Sequence, residues 1–240
     1  MASTYVNDLR LEEIADGEQS GTWGATTNTN LELIGEALGF GTQAITTNAD
    51  TFASTIVDGT SDQERAMYIK YTGALDSNCT ITIGPNTISR MHFIENATTD
   101  SGSSGPYSII ISQGSGANVT IPNGDTKAVY LDGAGSGAAV VDAFASLNVI
   151  DLKVQDDLTL TSDSAVITFG AGGDATLTHT NDVGLTLNST NKLMFNDASQ
   201  FIQGSSATVL SLGATDEIDL TATAIDINGT VAISGDTTLE

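Results

Sequence analysis

The chain has 240 residues, with 30 Asp and Glu against 7 Lys and Arg and a formal net charge of −23. Nucleic acid and anionic membranes are poor partners for such a surface, because the seven bases (Arg10, Arg65, Lys70, Arg90, Lys127, Lys153 and Lys192) are scattered rather than clustered. Hydrophobic residues make up 40% and aromatics only 5%; Thr, Ser, Asn, Ala and Gly fill the rest, a composition of short strands and turns.

The opening "MASTYVNDLRLEEIADGEQ" has neither the basic nor the apolar region of a signal peptide, and no run reaches transmembrane length. Residues 1–60 read as an extended arm with one short helix. Asn28 or Asn30 is the expected N-cap, Leu31, Ile34 and Leu38 follow at helical spacing, and Gly39 and Gly41 stop it. Trp23, the sole tryptophan, stands between Gly21 and Gly24. It reads as an aromatic anchor for a neighbouring subunit, with Leu31 and Ile34 completing a candidate partner interface. The alternative is that Trp23 packs only on its own helix.

Residues 64–146 hold all three prolines and a series of short apolar runs: "AMYIKYT", "TITI", "MHFIEN", "YSIIIS", "NVTI", "KAVYLD" and "AAVV". Runs of this length between turn signals predict a small antiparallel β-sandwich or barrel. The lone Cys79 excludes an intrachain disulfide and reads as a buried strand residue.

Residues 150–240 change character. Proline disappears and a period of eight emerges through Leu177, Leu185, Leu193, Phe201 and Val209, each opening or punctuating a short alternating strand. Strands this short bury one thin apolar stripe each, too little for a core within one chain. Two further copies around an axis supply the missing cover and remove exposed sheet edges. The prediction is a trimeric β-prism or β-helical shaft with those five residues as trimer core; a single-chain β-solenoid is the competing arrangement. The pattern stops without a cap, so the chain is expected to continue beyond 240.

Catalytic and cofactor motifs are weak. Gly133, Gly135 and Ala138 fit G-x-G-x-x-A, but Asp151 comes too soon for the ribose-binding acid and no βαβ series follows, so a Gly-rich turn is preferred to a dinucleotide site. "STNK" at 189–192 lacks the partner motifs of an S-x-x-K enzyme. His92 and His179 each stand alone, without metal-ligand spacing to Cys79; His179 alternates with Leu177, where three copies could meet on an axis. Acidic turns at 216–219 and 226–229 read as solvated, and no carboxylate pair stands out for glycoside hydrolysis. No enzyme, cofactor or metal is expected.

"ADGEQSGTWGATTNTNLELIGEALG" resembles the N-terminal segment of tail-fibre-like proteins of tailed bacteriophages, whose G-x-W-G-x-x-T-N-x-N-L pattern is met by Gly21, Trp23, Gly24, Thr27, Asn28, Asn30 and Leu31. "FIENATTDSGSSGPYSIIISQGSGANVTIPNGDTKAVYLDG" is similar to the small β-domain that often follows, and "GLTLNSTNKLMFNDASQFIQGSSATVLSL" looks like the repeat-rich shaft of marine phage fibres. The loop at 99–106 is longer than that pattern, and Asn196 stands where it usually has Gly. The resemblance implies a homotrimeric virion appendage. Its N-terminus would attach to tail adaptor, nozzle or neck proteins, and its distal part would reach the host cell surface. A polysaccharide-degrading tailspike, a capsid or neck decoration fibre, and a bacterial adhesin are the alternatives.

Overall fold

The computed structural model describes residues 2–46, 50–102 and 104–235. The chain is mainly β and divides into two compact units, Met1–Asp151 and Leu152–Glu240.

Among its described residues the first unit contains the helix α1 (Trp23–Ala37) and eleven strands: β1 (Phe40–Ala44), β2 (Thr51–Thr55), β3 (Tyr68–Thr72), β4 (Ala74–Leu75), β5 (Cys79–Gly84), β6 (Arg90–Asn96), β7 (Thr99–Asp100), β8 (Ile109–Ser112), β9 (Val119–Ile121), β10 (Thr126–Leu131) and β11 (Val140–Asp142). The strands do not form the antiparallel sandwich or barrel expected over 64–146. β1, β3 and β6 pair in parallel, as do β2, β5 and β8, and β4 with β7. Tyr68 lies beside both Phe40 and Phe93, and Ile81 beside both Phe52 and Ile111, so the chain returns over itself in steps of roughly 25–30 residues, as in a solenoid. Among the described strands of this unit, antiparallel pairing enters with β9, β10 and β11, laid against β8 and β6.

The reason lies in the corners. Consecutive strands such as β3, β4 and β5 are separated by turns as short as those of hairpins, but these turns send the chain to a new sheet instead of reversing it. The long crossover that parallel pairing requires is supplied by the other strands of the coil. Gly73, between β3 and β4, makes one such corner at φ +127°, where a Cβ would come within 2.3 Å of the Ile45 carbonyl oxygen. Only glycine fits there.

Inside the coil, alternate residues stack on their counterparts one turn away: Ile69 by Ile94, Cys79 by Ile109, Ile81 by Ile111, all buried. Cys79 is thus a buried strand residue, as expected. Two polar clusters in this core are bonded internally. The Tyr71 and Ser54 hydroxyls lie 2.8 Å apart. Asn96 donates through Nδ2 to the carbonyls of Tyr107 and Ile121 and accepts at Oδ1 from Thr98. Such pairing holds a corner where an unpaired buried amide would cost about 1–3 kcal/mol.

Among its described residues the second unit has six strands in two antiparallel sheets: β12 (Val166–Phe169), β13 (Ala175–Thr180) and β14 (Gly184–Leu187), then β15 (Lys192–Phe195), β16 (Asp197–Ser206) and β17 (Val209–Gly213). Among described residues 152–235 none is buried.

Candidate functional site

Helix α1 starts at Trp23, several residues before the expected Asn28 or Asn30 cap. The polar run 26–30 disguises this first half, since Thr and Asn are indifferent helix formers. Within the helix, Thr27 satisfies its hydroxyl by donating to the Trp23 carbonyl one turn back. Asn30 reaches outside the helix instead. Its amide brackets the Glu12 backbone, accepting from the Glu12 N–H and donating to the Glu12 carbonyl. The helix ends as expected, with Gly39 N–H donating to the Glu36 carbonyl.

The N-terminal segment is also no free extended arm. It folds onto its own unit, with Asp8 accepting from the Ser89 N–H, Arg10 paired to Asp58 at 2.7 Å, and a Thr4–Glu13 bridge. Arg65 holds this arrangement together. Its guanidinium is fully buried and donates to the carbonyls of Leu9, Val57 and Thr60 and to the Asp62 carboxylate, with Glu36 of α1 at 3.9 Å. Arm, helix and the loop 57–62 therefore share one buried cation. Burial raises the Asp62 carboxyl, against the opposing pull of Arg65 and two backbone N–H groups. Burial likewise raises the neighbouring Glu64.

With the arm and Arg65 on one side of it, α1 turns Leu33 and Ala37 inward and leaves Trp23 62%, Leu31 61% and Ile34 37% exposed. The three candidate interface residues thus share the outward side of the helix with Leu38. Ile34 and Leu38 continue into a hollow of about 290 Å³ walled by Met67 and Met91, with Arg90 and Asp8 beside it. Burial, then the proximity of Arg65, lowers the Arg90 guanidinium from its ordinary range. His92, on the inward side of the same strand, is buried and donates from Nδ1 to the Ala66 carbonyl at 2.9 Å. Desolvation, reinforced by Arg90, lowers it to about 3, so it is neutral and structural.

In the second unit, register decides which of the expected core residues share a face. Leu177 pairs with Ile167 and Leu187, and His179 with Leu185, so these five stand on one side of the first sheet. The other side carries Val166, Thr178 and Thr186. Ile167, Leu177, His179 and Leu185 line a hollow of about 350 Å³ together with Leu158 and Leu160. In the second sheet the period of eight does not keep to one face. Leu193 pairs with Ile202 and Ile202 with Leu212, whereas Phe201 pairs with Met194 and Gly213 on the opposite side. Val209 follows Phe201, because its neighbour Leu210 pairs with Gly204 on the Ile202 side. Lys192 lies 3.7 Å over the Phe201 ring, and that ring covers Gly213.

The glycine fingerprint forms a single turn of 3₁₀-helix, Gly135–Gly137, after which β11 follows directly. The helix that would present its N-terminus to a pyrophosphate is missing at this point. Among the described residues no group of three or more His, Cys, Asp and Glu could hold a metal ion, and no helix is long and apolar enough to cross a membrane. No family model, curated protein or solved structure matches the chain.

Sequence reasoning misses the buried roles of Arg65 and His92, and the parallel coil. Arg65 stands in "SDQERAMY", a polar segment that reads as surface, and no local pattern announces that a chain segment 56 residues earlier closes over it.

Proposed function

We propose that this chain is a structural, non-enzymatic virion protein: the proximal part of a homotrimeric phage tail fibre. In this reading the first unit attaches to tail adaptor, nozzle or neck subunits, the second forms shaft, and a distal part contacts the host cell surface. The observation that carries the reading is the second unit's lack of any buried side chain among its described residues. Its strands are paired and its apolar residues are gathered on faces, yet Leu185, Leu193, Ile202, Leu210 and Leu212 all remain exposed in the single chain. Apolar burial at about 25 cal/mol per Å² is the main force that opposes chain entropy, so sheets without it need cover from outside. Two further copies supply that cover with a self-matching surface.

The outward side of α1 supports the attachment role. Trp23, Leu31, Ile34 and Leu38 form an apolar strip on a unit whose core is already filled by its coil. Large aromatic and aliphatic side chains left on such a strip are the usual anchors of an interface. Electron microscopy of assembled particles, with the chain labelled, tests the reading: density at the tail supports it, and density on the capsid or absence from particles refutes it.

A further inference from the structure

The two faces of the second sheet of the shaft unit differ in chemistry, and the difference names the side on which copies meet. One face holds Leu193, Ile202, Leu210 and Leu212. The other holds Met194, Phe201 and Val209 among Gln203 and Ser211, with Lys192 lying across the Phe201 ring. On this second face Phe201, Gln203, Ser211 and Gly213 are already half-covered within the chain, and of its apolar side chains Met194 and Val209 stay exposed, at 55% and 50%, whereas Leu193, Ile202, Leu210 and Leu212 are all exposed.

Charge points the same way. From Val166 to Gly213 the chain carries only Asp174, Asp182, Lys192 and Asp197. Asp174 and Asp182 sit in the turns flanking β13, Asp197 begins β16 and accepts from Ser199, and Lys192 belongs to the Phe201 face. In a chain of net charge −23, like-charged copies can approach closely only where such groups are missing. The Ile167–Leu177–Leu185 face of the first sheet meets that condition. The Leu193 face meets it within β15–β17, with Asp216 and Glu217 at its margin beside Ile202 and Leu212.

We propose that copies of this chain meet through the Leu177–Leu185 face of the first sheet and the Leu193–Ile202–Leu212 face of the second, while Phe201 and Val209 face outward. The inference rests on the oligomeric reading above and deepens it. It keeps Leu177, Leu185 and Leu193 of the expected trimer core and replaces Phe201 and Val209 by Ile202 and Leu212.

Val209 and Leu210 are neighbours on opposite faces, 50% and 72% exposed in the single chain. Full-length Val209→Cys and Leu210→Cys variants would each be labelled with a maleimide, the native Cys79 being buried. The expected result is an inverted order in the assembled protein: the Leu210→Cys thiol reacts at least about tenfold more slowly than the Val209→Cys thiol. If light scattering gives an oligomer but Leu210→Cys reacts faster, the face assignment is overturned and the oligomer stands. If the mass is that of one chain and both thiols react fast, the inference falls together with the reading it rests on. Should either variant fail to assemble, hydroxyl-radical footprinting of the unmodified protein decides. Oxidation of Met194 with protection of Leu212 supports the assignment, and the reverse overturns it.

Discussion

His92 gives the first unit a defined acid sensitivity. Its Nδ1–H is committed to the Ala66 carbonyl, Nε2 has no hydrogen-bond partner, and Arg90 lies two residues away on the same strand. Protonating the ring would place a second cation in a site that already lowers Arg90. The folded-state value is lowered to about 3, against about 6.5 for an unfolded chain. The sign follows from linkage: below about pH 6.5 the unfolded state binds a proton that the folded state refuses, so stability falls as pH falls. The stabilisation is complete above 6.5 and is lost progressively down to about pH 3, at about 1.4 kcal/mol per pH unit. Between pH 7 and pH 5 the loss is about 2 kcal/mol. His92→Gln keeps a donor for Ala66 and removes the titration. Asp62 and Glu64, raised by burial, titrate in both proteins and cancel in the comparison. Urea unfolding at fixed protein concentration, followed by Trp23 and tyrosine fluorescence at pH 7, 6 and 5, measures the effect. The wild-type stability should drop relative to the variant by about 2 kcal/mol over that range. A difference that stays constant within about 0.5 kcal/mol would show that His92 is not held neutral by burial.

Glu64→Gln should raise the melting temperature at pH 7.5, since burial raises its folded-state value and ionisation there works against folding; the gain should shrink as pH falls toward 4, and a gain that grows on acidification would refute this. Arg65→Met removes the cation shared by arm, helix and loop, leaving Asp62 and Glu36 uncompensated, and should cost about 3–5 kcal/mol and speed proteolysis within residues 2–22. Ile81→Ala, in the middle of the coil stack, should cost about 2–5 kcal/mol by urea unfolding, and less than 1 kcal/mol would contradict the packing. Trp23→Ala should leave stability within about 0.5 kcal/mol of wild type, because the ring is exposed, yet reduce incorporation into particles; incorporation at the wild-type level would remove Trp23 from the interface.

Much of the local structure is legible in the sequence, and long-range pairing is not. Alternation in "TITI" and "YSIII" marks strands, and β5 and β8 lie there. The same alternation serves a hairpin partner or a coil partner, so it does not distinguish antiparallel neighbours from strands about one turn of the coil away. Gly39 ends the helix where its spacing suggests, but the start is hidden by threonines such as Thr27, whose hydroxyl bonds back along the helix. The eight-residue period groups Leu177 with Leu185 on one face, where the connection between β13 and β14 is a regular turn. It misgroups Leu193 with Phe201, because an irregularity after Met194 shifts the register and sends the next anchor to the other face. Buried polar residues are the least legible, since what makes Arg65 and His92 structural is chain brought from far away in sequence.

If the second unit draws its core from other copies of the chain, its mass in solution must show it. Sedimentation equilibrium or multi-angle light scattering of the purified chain gives that mass. Three copies of the 24.6 kDa chain form a particle of about 74 kDa that persists on dilution. A stable monodisperse species of 24.6 kDa, with the strands of residues 166–213 still formed, would rule the shared core out.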